Sequence, residues 1–201
     1  MSRMSSLRAT SLNPLFAIAD KAAGFAAALR RPPVGNRAVP EPSGAVDLGR
    51  YAGLWYEYGR YENGFERGCE AVTAEYRPLP DGGVQVINRA RKGGVNGSVK
   101  VIKGKAKVVA GSGNAKLKVS FFGPFFLGDY WIVEHDADYA WSIVGEPSGR
   151  FLWLLTRQAQ PSAAALQVMM TAVRNLGYDT GMIRKTQHGA LEPAQAAAAT
   201  A

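Results

Sequence analysis

The sequence predicts an all-β fold: an eight-stranded antiparallel up-and-down barrel with one C-terminal α-helix. Three observations predict it. Between Leu54 and Gln158, short runs rich in β-branched and aromatic residues are separated by clusters of turn residues. Eight such runs follow one another without an intervening helical period, which is the pattern of a meander. After Pro161-Ser162 the apolar period changes from two to about 3.6, and one helix closes the pattern. A long open meander would leave unpaired edges, and closure into a barrel removes them. The chain has 201 residues, 47% hydrophobic and 20% charged, enough to build the core of one globular domain with tails.

The elements run as follows. Residues 1–44 form a basic, Pro/Ala-rich N-terminal tail, with six basic residues against Asp20 and Glu41. Leu15, Phe16, Ile18, Ala22, Phe25, Ala26 and Leu29 approximate helical spacing within it, a weakly amphipathic face suited to an interface, a transit peptide or a plain disordered tail. Two proline-rich stretches, at 31–36 and 39–44, read as an extended linker, so the domain is expected to span 45–188. Its strands are expected at residues 54–61, 70–79, 84–92, 98–109, 115–121, 129–136, 140–146 and 151–158. Pro80-Asp81-Gly82-Gly83, Gly111-Ser112-Gly113-Asn114, Asp136-Ala137-Asp138 and Pro147-Ser148-Gly149 supply hairpin turns. Ala165, Leu166, Met169, Met170, Val173 and Leu176 share one helical face, and Gly177 stops the helix. Residues 182–186 could add a ninth strand, and 189–201 form an Ala-rich tail expected to be disordered.

Composition excludes several chemistries. The single cysteine, Cys69, rules out an intrachain disulfide, and with only His135 and His188 no metal site is expected. Phosphate-cradling, zinc-protease and nucleophile-elbow motifs are absent, so no catalytic residue and no cofactor are assigned. No run of 18 apolar residues exists, so no transmembrane helix is expected.

Four blocks in order carry a family resemblance. Residues 47–57 contain Gly53-Leu54-Trp55 on the first strand; 65–76 hold Phe65-Glu66-Arg67-Gly68-Cys69 and Val72-Thr73-Ala74-Glu75-Tyr76; Gly128-Asp129-Tyr130 precedes Trp131-Ile132-Val133; and Leu152-Trp153-Leu154-Leu155-Thr156 ends in Arg157. Together they resemble the lipocalin family, in particular its bacterial and apolipoprotein D-like members, over about residues 45–188. The resemblance implies a signature of Gly53, Trp55, Asp129, Tyr130 and Arg157, with the Arg157 guanidinium laid over the Trp55 indole to close one barrel end. Side-chain alternation puts Trp55, Glu57 and Gly59 on one face of strand one, and Phe151, Trp153 and Leu155 on one face of strand eight. By similarity to the family these faces point inward, as do Val72, Ala74 and Tyr76, Val86 and Asn88, Tyr130 and Ile132, and Ser142 and Val144. That set is the expected ligand-binding lining; the alternative is that the same side chains fill the barrel as core.

Within this set Glu57 is the anomaly, an acid among Trp55, Tyr56 and Tyr58. It must find a partner or accept a raised pKa, either as a structural group or as a holder of a polar headgroup. Cys69 has Glu66, Arg67 and Glu70 near it and no histidine base, so it reads as a loop residue. Lys100, Lys103, Lys105, Lys107, Lys116 and Lys118 are expected on one basic outer face, either simply solvated or attracted to anionic lipid. The expected partner is a small lipophilic ligand such as a fatty acid or lysophospholipid, with peripheral contact to an anionic membrane, no nucleic acid, and a monomer or weak dimer. The other functional reading is a barrel enzyme acting on a lipid or isoprenoid. No lipoprotein signal ending in a lipid-bearing cysteine is present, so a soluble or peripherally membrane-associated protein is expected, while the resemblance points to the cell envelope.

Overall fold

In the computed structural model, residues 32–42, 44–121 and 123–189 are described. The amphipathic face expected between Leu15 and Leu29 and the Ala-rich C-terminal tail from residue 190 on lie outside them. A one-turn helix α1 (Leu48–Tyr51) leads into β1 (Gly53–Tyr61), β2 (Cys69–Pro78), β3 (Val84–Lys92), β4 (Ser98–Val108), β5 (Lys116–Ser120), β6 (Gly128–His135), β7 (Trp141–Gly145) and β8 (Leu152–Thr156). Helix α2 (Ala163–Asn175) and a short β9 (Ile183–Lys185) follow. Each strand pairs antiparallel with the next, and β1 pairs with both β8 and β2, which closes the barrel. The ninth strand sits on the second half of β1, where β2 has moved away.

The barrel has two apolar faces. Inside, Trp55, Tyr76, Val84, Val86, Ala106, Leu117, Ile132, Val144 and Leu155 form one buried cluster. Outside β7 and β8, Ile143, Leu152 and Leu154 form a second with Met169, Ala172 and Val173 of α2. Strand alternation therefore runs apolar on both faces along β7 and β8, because a helix covers one of them. Ser162 caps α2 by accepting from the Ala165 amide at 3.2 Å, and Gly177, at φ +83°, ends it.

One end is closed. The Arg157 guanidinium carbon lies 3.8 Å from the Trp55 ring centroid, and its nitrogens donate to the carbonyls of Ala52 at 3.0 Å, Leu54 at 2.9 Å and Arg50 at 2.6 Å. Trp55 Nε1 donates to the Tyr51 carbonyl at 2.8 Å, tying α1 beneath the barrel. Gly53 has φ +93°, a backbone conformation that disfavours a side chain, while a Cβ there would meet only an ordinary contact at 3.6 Å. Its conformation, rather than close packing, is what calls for glycine.

The proline-rich stretch before the barrel is no free linker. The amides of Gly35 and Asn36 donate to the Gly149 carbonyl at 2.9 and 3.1 Å, and Asn36 Nδ2 donates to the Leu176 carbonyl at 2.9 Å. Residues 32–42 thus join the β7–β8 turn to the end of α2, and the ordered unit begins before residue 45. Gly149 permits this approach: a Cβ on it would lie 1.8 Å from the Asn36 carbonyl oxygen.

Candidate functional site: the barrel interior and its open end

Register fixes which side chains look inward. Trp55 lies opposite Ala74, Ala74 opposite Asn88, and Asn88 opposite Ile102; Tyr76 lies opposite Val86. Tyr130 is paired with Leu117, Ile132 with Val144, Val144 with Trp153, and Ser142 with Leu155. Trp55, Tyr76, Val86, Ile132, Val144 and Leu155 belong to the interior cluster, and Ala74, Tyr130 and Trp153 pack against it. Phe151 stacks on Trp153 with ring centroids 5.7 Å apart. Val72 is buried beside an irregularity in β2 where Ala71 takes φ +49°, and belongs to neither apolar cluster. Asp129 is on the outside, paired with Lys118 at 2.6 Å.

Toward the closed end the interior carries a phenol network. Tyr130 Oη lies 3.0 Å from Tyr51 Oη and 2.7 Å from Tyr76 Oη, and Tyr51 Oη lies 3.2 Å from Ser142 Oγ. Burial pushes Tyr51 up to about 12, and Tyr76 and Tyr130 well above the usual phenol range. They are therefore neutral hydrogen-bonding groups near pH 7.

Toward the open end the interior is charged. Glu57 lies opposite Leu155, but the register shifts before Gly59, so Gly59 faces the outer cluster and Arg60 takes the inward position opposite Trp153. Expecting Gly59 on the inner face beside Glu57 was therefore wrong, because strict alternation stops at a bulge. Arg60 is fully buried; its Nη1 donates to Glu57 Oε1 at 2.7 Å, and its Nη2 to the Glu66 carbonyl at 2.8 Å. Thr186, following β9, donates its hydroxyl to the same Glu57 oxygen. Burial, with the nearby Glu66 charge added, pushes Glu57 up to about 8, and the Arg60 guanidinium and Thr186 hydroxyl pull the other way.

Arg60, Tyr51, Leu117, Ala106 and Glu66 were not anticipated as site residues. Leu117 was findable, because it stands between Lys116 and Lys118 in an alternating run. A glycine inside a strand is also a bulge signal, so Gly59 carried a hint of Arg60. Lys100 does not share the outer face with Lys103, Lys105 and Lys107: opposite Ala90, it has the parity of Ile102 and Asn88. Among the described residues no three His, Cys, Asp or Glu side chains group as a metal site, and no helix is long and apolar enough to cross a membrane.

Comparison with known proteins agrees with this geometry. Outer membrane lipoprotein Blc of Vibrio cholerae is 40% identical over 144 residues, covering 71% of this chain and 83% of that protein. Temperature-induced lipocalin-1 of Arabidopsis thaliana is 33% identical over 156 residues, covering 74% of this chain and 82% of that protein. The solved structure of apocrustacyanin C2 superposes with a TM-score of 0.63 at 16% identity, covering 81% of this chain and 94% of that one. The family model described as a lipocalin-like domain matches residues 46–188, and with Trp55 under Arg157 at the closed end of an eight-stranded barrel, the chain belongs to the lipocalin family, whose barrels bind small hydrophobic ligands.

Proposed function

We propose that the protein is a non-enzymatic carrier of a fatty acid or lysophospholipid at the cell envelope, its acyl chain enclosed by the barrel and its polar end toward the mouth. The observation that carries this reading is the gradient along the interior: uncharged and sealed at Trp55, charged and more open at the other end, where inward-parity Ile102 is 46% exposed. A carrier reading also fits the titratable groups. The interior phenols stay protonated, and burial pushes the Cys69 thiol up, away from the nucleophilic thiolate. Ala74, Asn88, Trp153 and Phe151 stand where an entering chain would pass.

The membrane contact is proposed at the mouth. Among the described residues seven large hydrophobics are exposed, and six of them, Phe65, Val99, Val101, Ile102, Phe125 and Leu127, belong to the β1–β2 loop, the β3–β4 hairpin and the β5–β6 loop at the open end. From Gly82 to Gly128 the chain holds Arg89, Arg91, Lys92, Lys100, Lys103, Lys105, Lys107, Lys116 and Lys118 and no acidic residue. Apolar tips beside that cationic wall fit an anionic bilayer, from which a lipid would enter directly.

Native mass spectrometry of the delipidated full chain after exposure to a lipid extract is expected to show one bound lipid of unaltered mass. A chemically changed ligand would establish the enzymatic alternative, and failure to take up any lipid would sink the carrier. Co-sedimentation with phosphatidylglycerol vesicles is expected to weaken in Phe125→Ser/Leu127→Ser and at high salt, with little binding to phosphatidylcholine.

A further inference from the structure

Three donors converge on one carboxylate oxygen at the open end. Trp153 Nε1 donates to Glu66 Oε2 at 2.8 Å, and Asn63 Nδ2 donates to the same atom at 2.7 Å. Arg60 Nε lies 3.9 Å from it, fully buried and without a hydrogen-bond partner. An unused guanidinium N–H inside a protein is costly, and its natural complement is a carboxylate or phosphate oxygen set closer than Glu66 sets its own. Arg60 and Trp153 are a cross-strand pair of the barrel wall, whereas Glu66 comes from the β1–β2 loop and keeps its side chain 21% exposed. The wall thus supplies two of the donors, Arg60 and Trp153, and the loop supplies Asn63 together with the acid.

We propose that Arg60, Trp153 and Asn63 form a subsite for the acid group of a lipophilic ligand, and that Glu66 holds this subsite in the ligand's place. The inference rests on the carrier reading and adds to it the residues that take the ligand's carboxylate or phosphate and the loop carboxylate that competes for them. Exchange is balanced in charge: one anion leaves the Arg60 guanidinium as another arrives. It also has a mechanical consequence. Displacing the Glu66 carboxylate removes the loop's side-chain tie to Trp153, while the Glu66 carbonyl stays on Arg60 Nη2, in a loop whose Phe65 is already 59% exposed at the mouth. Affinity for an acidic lipid is then set by competition with a tethered carboxylate, which raises the threshold for loading and favours release once the acid is drawn away.

The test compares cis-parinaric acid with its methyl ester by fluorescence titration of the delipidated full chain. Glu66→Gln, which keeps an acceptor but removes the charge, is expected to raise the ratio of acid to ester affinity about tenfold. Trp153→Phe, which keeps the ring and removes the N–H, is expected to lower that ratio several-fold. An acid-to-ester ratio that stays at the wild-type value in both variants overturns the subsite while leaving a carrier that binds both probes. Wild-type protein that binds neither probe overturns the carrier reading, and the subsite with it.

Discussion

At the scale of single residues the closed end and the charged half make separate, measurable demands. Arg157 combines a cation–π contact with donation to backbone carbonyls of α1 and β1, so Arg157→Met is expected to cost about 2–4 kcal/mol in chemical denaturation, with Arg157→Lys recovering only part because a single ammonium cannot span those acceptors. Glu57 has the opposite pH behaviour to an ordinary paired carboxylate. Its pKa is raised on folding, so the native state holds the proton more tightly than the unfolded chain. Its contribution is complete below the unfolded carboxyl pKa of about 4.3 and is lost as pH rises toward about 8. Melting measured from pH 4 to 9 is therefore expected to show a decline across that window that Glu57→Gln flattens. The Trp55–Arg157 pair was legible in the sequence because the resemblance joined two distant residues. The Glu57–Arg60 pair was hidden because a bulge at Gly59 reverses the parity on which the reading of β1 depended.

Among the elements, hairpin turns announced most strand limits. Gly111, Gly113 and Asn114 all take positive φ, the conformation for which such residues are chosen, and the strands on either side end beside them. The segment 32–42 was illegible for the opposite reason. A docked strap and a free linker share the same proline-rich composition, and only the bare α-carbon of Gly149 and the carbonyl of Leu176 decide between them. A chain beginning at Ala45 is accordingly expected to melt lower than one beginning at Pro32, and Asn36→Ala alone to cost about 1–2 kcal/mol, since it leaves the Leu176 carbonyl unpaired. The short β9 works at a distance as well: Thr186 reaches Glu57 and Arg60 from the end of the domain, so Thr186→Val should shift the pH dependence assigned to Glu57.

For the whole molecule, the same eight strands sort apolar side chains into two compartments, one inside the barrel and one beneath α2. The carrier account requires ligand in the first and none in the second. Enlarging an inward side chain beside Trp55, as in Ala74→Phe, is expected to lower lipid uptake at least tenfold at a stability cost of about 1–3 kcal/mol. The most direct measurement follows methyl NMR signals of the full chain during titration with a long-chain fatty acid. The account predicts saturable, one-to-one shifts at Ile132, Val144 and Leu155, with Ile143, Leu152 and Leu154 on the outer face of the same strands essentially unmoved. Shifts confined to the outer set, or no saturable shift at the inner one, would contradict it.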